Sequence, residues 1–308
     1  MLRLLFIIGL VASALLATPA QQVSSVRDEL HYLNVAVTTD HGEWISGLKR
    51  ENFSLFAGKS RLTIEKFSSI AQPVSVGILV DKSGSTESFS FPSIAESLRI
   101  YAAKADPQND YFILAFDKSQ TFLLRPGHDA PALADAIKQV GTLKGAGETD
   151  VAAAVKSGLT TLASAHWPRR TLLLISDMLD GELSAKKVKE LREILRRTNT
   201  TAFGIVIRSV QDHASSIGMY GLTALEDLAS ESGGRVYHPQ TNREMNEILY
   251  RIAEDLGYQY SIGFKPEAGS AKKGGEWQKL DVKVELPPGL KTKGKLVLRH
   301  RRGYYAGS

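Results

Sequence analysis

Residues 74–85 read Val-Ser-Val-Gly-Ile-Leu-Val-Asp-Lys-Ser-Gly-Ser, an apolar run that stops at a carboxylate and two hydroxyls. The run Val74–Val80 predicts a strand that is covered on both faces, as in a parallel sheet. In a doubly wound fold, ligands bind at the loops that leave the carboxyl ends of the strands. Asp81, Ser83 and Ser85 stand at alternate positions of such a loop, and their oxygens suit Mg²⁺, Mn²⁺ or Ca²⁺. The same residue types are also common in ordinary turns.

Apolar runs and amphipathic segments alternate from residue 73 to residue 256. Further strands are predicted at Tyr111–Phe116, Thr171–Ser176 and Ala202–Ile207, with a short edge strand at Gln120–Leu124. Between the runs, apolar residues recur at helical spacing. This order predicts a doubly wound, Rossmann-type α/β fold, in which a mostly parallel sheet carries helices on both faces.

Two further loops carry oxygen side chains. Residues 145–150 read Gly-Ala-Gly-Glu-Thr-Asp just before a predicted helix, so Asp150 is expected to cap the helix while Thr149 offers a hydroxyl. Residues 172–177 read Leu-Leu-Leu-Ile-Ser-Asp, a predicted buried strand that ends in Asp177 at the same edge of the sheet. Taken singly, the loop at 145–150 can be an ordinary helix cap and the loop at Asp177 an ordinary strand-end turn. The cap by Asp150 and a metal-facing Thr149 can hold at once.

The three loops together resemble a known binding site. Asp81-x-Ser83-x-Ser85, Thr149 in a Gly-x-Thr-Asp context and Asp177 after an apolar strand resemble the metal-ion-dependent adhesion site (MIDAS) of von Willebrand factor type A (VWA) domains. Residues 45–53 and 302–305 are similar to the ends of a secreted bacterial subgroup that is usually called VWFA-related. The resemblance therefore covers nearly the whole chain after residue 20.

The resemblance implies a set of ligands and a kind of partner. Ser83, Ser85 and Thr149 would contribute hydroxyl oxygens, while Asp81 and Asp177 would bind a Mg²⁺, Mn²⁺ or Ca²⁺ ion directly or through water. Two carboxylates only offset a divalent charge, so the ion still favours an anionic ligand. The expected function is protein–protein interaction or cell adhesion, through a carboxylate that a protein partner presents to the metal.

The third loop departs from the family pattern. It reads Asp177-Met178-Leu179-Asp180-Gly181, whereas the family commonly has glycine soon after the aspartate. Either Asp177 is the ligand on a longer loop, or Asp180 takes its place. We favour Asp177 because it ends the strand directly, and expect Asp150 and Asp180 to be second-layer residues or alternative ligands. Thr86 also stands where the family often has methionine.

The segments outside the α/β region have other patterns. Arg3, an apolar run from Leu4 to Leu16 and the small residues 18–20 predict a secretory signal peptide over residues 1–20, and hence a secreted or periplasmic protein. No later segment is apolar enough to cross a membrane. Residues 21–72 and 257–308 have β-like alternation around a VWA-like domain at 73–256. We hypothesise that the two β segments pair into one module; separate appendages are the alternative.

Composition restricts the other functions that the chain could have. The chain of 308 residues has no cysteine, which excludes disulfides, zinc-thiolate sites and thiol nucleophiles. Its net charge is +5, but its basic residues are not interleaved with aromatic residues in the way that is typical of nucleic-acid binding. The seven histidines are scattered, and no Gly-x-Ser-x-Gly element is present. We therefore expect no enzyme. Two alternatives stay open: a structural scaffold with a stabilising metal, or a Mg²⁺-dependent hydrolase or phosphatase that uses Asp81 as nucleophile.

Overall fold

The apolar runs fold into the sheet that the sequence predicts. A computed structural model describes residues 30–86, 90–207, 215–266 and 275–305. Its strands in chain order are β1 (His31–Thr39), β2 (Phe53–Ala57), β3 (Ser60–Leu62), β4 (Ile64–Ser68), β5 (Ser75–Asp81), β6 (Asp110–Phe116), β7 (Gln120–Gly127), β8 (Arg170–Ser176), β9 (Thr200–Val206), β10 (Arg235–Tyr237), β11 (Tyr260–Phe264), β12 (Trp277–Val284), β13 (Leu296–Arg299) and β14 (Gly303–Tyr305). The predicted signal peptide at residues 1–20 lies outside the described residues.

The described residues form six α-helices, and each begins at a side chain that caps it. The helices are α1 (Phe91–Lys104), α2 (Ala130–Val140), α3 (Val151–Ala163), α4 (Ala185–Thr198), α5 (Ser216–Ser232) and α6 (Asn242–Gly257). Their N-caps are Ser90, Asp129, Asp150, Ser184, Ser215 and Thr241, each of which accepts a hydrogen bond from an amide three residues on. Such caps satisfy amides that the first helical turn leaves without a partner.

The central sheet has six strands in the order β10-β9-β8-β5-β6-β7. All neighbours in it are parallel except β7, which runs antiparallel to β6 at one edge. Side chains of β5 alternate between two cores: Val76, Ile78 and Val80 pack with α1, α2 and α6, while Leu79 packs with α3 and α4. The predicted doubly wound α/β fold is confirmed.

The flanking segments build two further antiparallel sheets. Their strand orders are β13-β1-β11-β4 and β14-β12-β2-β3, so strands from before and after the α/β domain lie side by side in both. Their apolar faces share one core that includes Leu33, Leu55, Ile262 and Tyr304. We call these two sheets the β module. The paired strands of the two flanks make it a single body rather than two appendages.

Several contacts hold the β module to the α/β domain. Helix α6 runs into β11 after two residues, and strand β14 packs against α4. Arg299 at the end of β13 forms a buried ion pair with Asp255 of α6, and the amide of Arg302 donates to the carbonyl of Glu231 at 2.9 Å. Within the described residues, no helix has the length and apolarity needed to cross a membrane.

Candidate metal centre

The first loop folds back on the carboxylate that begins it. The amide of Ser83 donates to Oδ1 of Asp81 at 2.9 Å, which is the local turn expected of an Asp followed by a small residue. The hydroxyl of Thr86 donates to the carbonyl of Ser83 at 2.7 Å and closes the loop from the far side. Asp81, Ser83 and Thr86 are all buried, whereas Ser85 is exposed at the tip. The loop therefore holds its carboxylate inside and presents one hydroxyl outward.

The glycine-rich segment 145–147 lies against this first loop. The amide of Ala146 donates to the carbonyl of Lys82 at 3.0 Å, and the amide of Gly84 donates to the carbonyl of Gly147 at the same distance. A Cβ atom on Gly145 would lie 3.0 Å from the carbonyl oxygen of Ser83. Glycine is needed here because the two backbones approach so closely. The segment thus fixes the backbone that leads to Thr149 against the first loop.

Hydroxyl groups from three loops gather around Asp81. Oδ2 of Asp81 accepts a 2.6 Å hydrogen bond from Ser176 and a 3.4 Å contact from the Oγ1 of Thr149. The Oγ atoms of Ser83 and Ser85 lie 3.3 Å apart. The structure therefore brings the predicted residues Asp81, Ser83, Ser85 and Thr149 to one place.

Asp177 completes the cluster from the end of β8. Asp81 and Asp177 are both fully buried. Burial raises the pKa of Asp81 to about 6, the hydrogen bond from Ser176 opposes that rise, and the nearby charge of Asp177 adds to it. Two ionised carboxylates whose charges act on each other in a buried site repel each other. A divalent cation between them would remove that repulsion, so the donor set fits a hard metal ion.

The two remaining acidic residues have structural partners. Oδ1 of Asp150 accepts from the amide of Ala153 at 2.9 Å and caps α3, while Lys187 lies 3.8 Å away. Oδ2 of Asp180 accepts from the amide of Val151 at 3.0 Å, and its Oδ1 accepts from the amide of Glu182 at 2.8 Å. Backbone amides thus occupy both oxygens of Asp180, and Oδ1 of Asp177 also accepts from the amide of Leu179 at 2.9 Å. Asp177 as the acidic ligand of the third loop stays a prediction.

The backbone at Met178 accounts for the departure of the third loop from the family pattern. Met178 has φ of 60°, in the left-handed region that favours glycine. Its side chain is buried in the core below α3 and α4. The chain thus keeps the backbone shape of a glycine at this position and uses the methionine side chain for packing, at a conformational cost of roughly 1 kcal/mol.

Some residues at this edge were not predicted from the sequence. Ser176 donates a hydrogen bond to Asp81. The only feature of the sequence that could have indicated this role is the position of Ser176 directly before Asp177. Lys82 forms an ion pair with Asp117 at the end of β6, and Lys118 forms ion pairs with Glu148 and, at 3.9 Å, with Glu182. Such pairs join residues far apart in sequence, so no local pattern could have indicated them.

No group of three or more His, Cys, Asp or Glu side chains suited to a metal ion occurs among the described residues. The candidate set consists instead of two carboxylates and three hydroxyls. Such a set is compatible with Mg²⁺, which takes oxygen ligands and keeps several of its waters. The metal ligands accordingly stay a prediction.

A mostly parallel doubly wound sheet, with oxygen side chains from three loops at its carboxyl edge, defines the class of this protein. The family model for the von Willebrand factor type A domain matches residues 75–251, more than half of the chain. The chain belongs to the VWA family. Members of this family are in general modules of protein interaction, and residues 75–251 of this chain form such a domain.

Solved structures with a similar arrangement have low sequence identity to this chain. A von Willebrand factor type A protein from Catenulispora acidiphila is 13% identical, with 82% of this chain and 76% of that chain covered and a TM-score of 0.48. The PilB minor pilin from Streptococcus sanguinis is 11% identical, with 61% and 62% covered and a TM-score of 0.48. The chain thus spans less than two thirds of that pilin. Among curated proteins, no sequence matches this chain.

Proposed function

We propose that this protein is a metal-ion-dependent binding module that captures an acidic side chain of a protein partner. Asp81, Ser83, Ser85, Thr149 and Asp177 would hold one divalent cation, with Mg²⁺ the first choice and Mn²⁺ or Ca²⁺ the alternatives. A carboxylate of the partner would complete the coordination. The cation would then link two surfaces that both carry negative charge at the point of contact.

The burial of Asp81 beside Asp177 is the observation that carries the proposal. Two buried carboxylates cost stability in a metal-free protein unless another role retains them. The hydroxyls of Ser83 and Thr149 add neutral oxygens, which bind a cation without adding negative charge. Because the protein would supply only two negative charges, an anionic ligand from outside stays favourable. Ser85 is exposed at the loop tip and would mark the side from which the partner approaches.

We also propose that the module works outside the cytoplasm. Arg3 and the apolar run that follows it have the layout of a secretory signal, and the chain has no cysteine for a lipid anchor of the cysteine-linked kind. Mass spectrometry of the protein recovered from outside the cytoplasm tests this proposal. A mature form that begins near Gln21 supports secretion, and an intact N-terminus on protein retained in the cytoplasm contradicts it.

Thermal unfolding tests the metal site. We expect Mg²⁺ at about 100 times its dissociation constant to stabilise the wild-type protein by about 2.7 kcal/mol relative to EDTA. Asp81→Asn keeps the shape of the side chain and should lose this gain. Asp135→Asn, on the exposed face of α2, changes the charge equally and should keep it. An equal response of the wild type and Asp81→Asn to Mg²⁺ would contradict the site.

Capture of a partner tests the binding role separately. Wild-type protein, Asp81→Asn and Asp135→Asn are each used as bait in Mg²⁺ and in EDTA. A partner that is retained only by the wild type and Asp135→Asn, and only in Mg²⁺, supports the proposal. Metal-dependent stability without any metal-dependent partner favours the scaffold alternative. Mg²⁺-dependent release of phosphate from phosphoester substrates, abolished in Asp81→Asn, would make the protein an enzyme and overturn the proposal.

A further inference from the structure

A large cleft separates the α/β domain from the β module at the edge of the sheet opposite the metal loops. It has a volume of about 770 Å³. One wall contains the residues that lead into β8 and β9, among them Trp167 and Asn199, and the other wall contains Lys66, Phe67 and Tyr304 of the β module. Because the parallel strands begin at this edge and end at the candidate metal site, the cleft is a separate feature of the molecule.

The charged residues that line the cleft are all positive. Six of its lining residues are cationic, namely Lys66, Arg169, Arg170, Arg196, Arg197 and Arg301. Of the described residues that line the cleft, none is Asp or Glu. Arg196 is neutralised by ion pairs with Glu231 and Glu193 outside the lining. The other five form no ion pair with any residue that the structure describes, so their charges add up in the cleft.

The arginines of the α/β wall bond to neutral groups. Arg169 donates from Nη2 to the carbonyl of Leu256 at 2.9 Å and to the side chain of Gln259 at 3.0 Å. Arg170 donates to the carbonyls of Thr198 and Ala163 at 2.9 and 3.1 Å, while its buried Nε has no hydrogen-bond partner. These bonds hold the guanidinium groups in place. Neither group forms an ion pair among the described residues, and the charge of Asp106 acts on Arg169 only from a greater distance.

A third arginine, the partly buried Arg301, enters the cleft from the β module. It donates to the side chain of Asn199 and, at 3.2 Å, to the carbonyl of Arg196. Burial lowers the pKa of both Arg169 and Arg301 to about 10, because water no longer solvates their charges fully. A buried cation that lacks a counter-charge is costly, and an anion bound beside it would recover part of that cost.

Aromatic rings make up much of the remaining surface of the cleft. Tyr32 is 46% exposed there, Phe67 and Trp167 contribute further ring surface, and the buried Tyr304 lies behind them. The indole Nε1 of Trp167 donates to the carbonyl of Gln108 at 3.0 Å, so this ring is held in a fixed orientation. Arg197 lies with its guanidinium 4.9 Å from the ring of Tyr305. Such ring surfaces can pack against the flat apolar part of a ligand. The volume of the cleft is within the range of about 300–1,000 Å³ that is typical of small-molecule sites.

We propose that this cleft binds a small organic anion with an aromatic or apolar body and at least two acidic groups, either carboxylates or phosphates. The guanidinium groups would pair with the acidic groups, since their planar forks match both carboxylate and phosphate. The rings of Tyr32 and Trp167 would cover the body of the ligand. The site needs no metal, and its ligand is independent of the partner proposed for the metal centre.

Calorimetric titration in EDTA tests the proposal, with terephthalate, a flat aromatic dicarboxylate, as the probe. The test variant combines Lys66→Gln with Arg197→Gln, because both side chains are exposed and neither forms a hydrogen bond or ion pair among the described residues. The control combines Lys138→Gln on α2 with Arg243→Gln on α6, which removes the same charge far from the cleft. Thermal unfolding of both variants establishes that they are folded.

We expect the test variant to bind terephthalate about tenfold more weakly than the wild type, since two charge-assisted contacts are lost. The control should remain within about twofold. The uncharged analogue terephthalamide should not bind, and higher salt should weaken binding of terephthalate. Absence of binding at millimolar terephthalate, equal weakening in both variants, or preference for an oligoglutamate peptide over terephthalate would each overturn the proposal.

Discussion

The hydroxyl of Ser176 donates a 2.6 Å hydrogen bond to Oδ2 of Asp81, across two neighbouring parallel strands of the central sheet. The same hydroxyl oxygen accepts from the amide of Met178 at 2.9 Å. Ser176 therefore connects the carboxylate of the first loop to the backbone of the third loop. Both loops owe their relative position at the candidate metal centre partly to this one side chain.

Removal of this hydroxyl should weaken metal binding without touching a proposed ligand. We expect Ser176→Ala to reduce Mg²⁺ affinity by about tenfold, because residues that orient a metal ligand commonly contribute that much. The measurement is a Mg²⁺ titration followed by thermal unfolding. Ser164→Ala, at the far end of α3, is the matched control and should bind like the wild type. An unchanged Mg²⁺ affinity in Ser176→Ala would contradict the prediction, because it would show that the hydroxyl of Ser176 is not needed to orient Asp81 for metal binding.

The charge of Asp81 should destabilise the metal-free protein. In EDTA at pH 7.5, Asp81→Asn should be as stable as the wild type or more stable, because it removes a buried ionised group. The rise of the pKa of Asp81 from 3.8 to about 6 corresponds to about 3 kcal/mol as an upper limit. In saturating Mg²⁺ the order should reverse. Chemical denaturation measures both, and a variant that is less stable than the wild type in EDTA would contradict this interpretation.

The sequence predicts the α/β fold well because the fold depends on apolar runs that can be recognised within a few consecutive residues. Strands covered on both faces must be apolar at consecutive positions, and β5, β6, β8 and β9 all are. The helix α5 contains Gly218 and Gly221, which weaken its local helical signal. Gly221 has a tertiary reason to be glycine, since a Cβ there would lie 2.4 Å from the carbonyl oxygen of Met178.

The candidate site is predictable only in part. Asp81, Ser83 and Ser85 stand in one short stretch, so their proximity follows from the local sequence. The convergence of Thr149 and Asp177 on Asp81 needs the sheet order, in which β5 lies next to β8. The roles of Ser176 and of the Lys82–Asp117 ion pair depend on side-chain positions, which no spacing encodes. The arginine cleft likewise arises only when the two flanks of the chain meet.

The ion pair between Arg299 and Asp255 should matter for stability far more than the surface pairs. Asp255 is 2% exposed, and loss of one partner leaves a buried charge. We expect Arg299→Met to cost about 3–5 kcal/mol in free energy of unfolding. Arg243→Met, which breaks the exposed pair with Glu247, should cost less than about 1 kcal/mol. Denaturant unfolding compares the two variants, and similar losses would show that Asp255 is not dependent on Arg299.

Burial of His300 should make the stability depend on pH. Burial lowers the pKa of His300 below its ordinary value of 6.5, while the carbonyl of Arg301 and the charge of Asp281 oppose that shift. The unfolded chain therefore takes up the proton first, so stability is lost as pH falls from about 7 to below 6. The midpoint of thermal unfolding should fall less in His300→Gln than in the wild type over this range. The exposed His41→Gln should behave like the wild type. Equal slopes in all three proteins would exclude this source of pH dependence.

The interleaved strands of the β module have a consequence for the newly made chain. The hydroxyl of Tyr260 donates to the carbonyl of Ile45, and these residues lie 215 positions apart. During synthesis, β1 and β2 are made first but have no complete sheet to join until the last strands have left the ribosome. Such long-range pairing is slow, and strand edges that wait for their partners are open to aggregation. A nascent chain that stops before β14 would lack part of both the module and the arginine cleft, even though its α/β domain could already have folded.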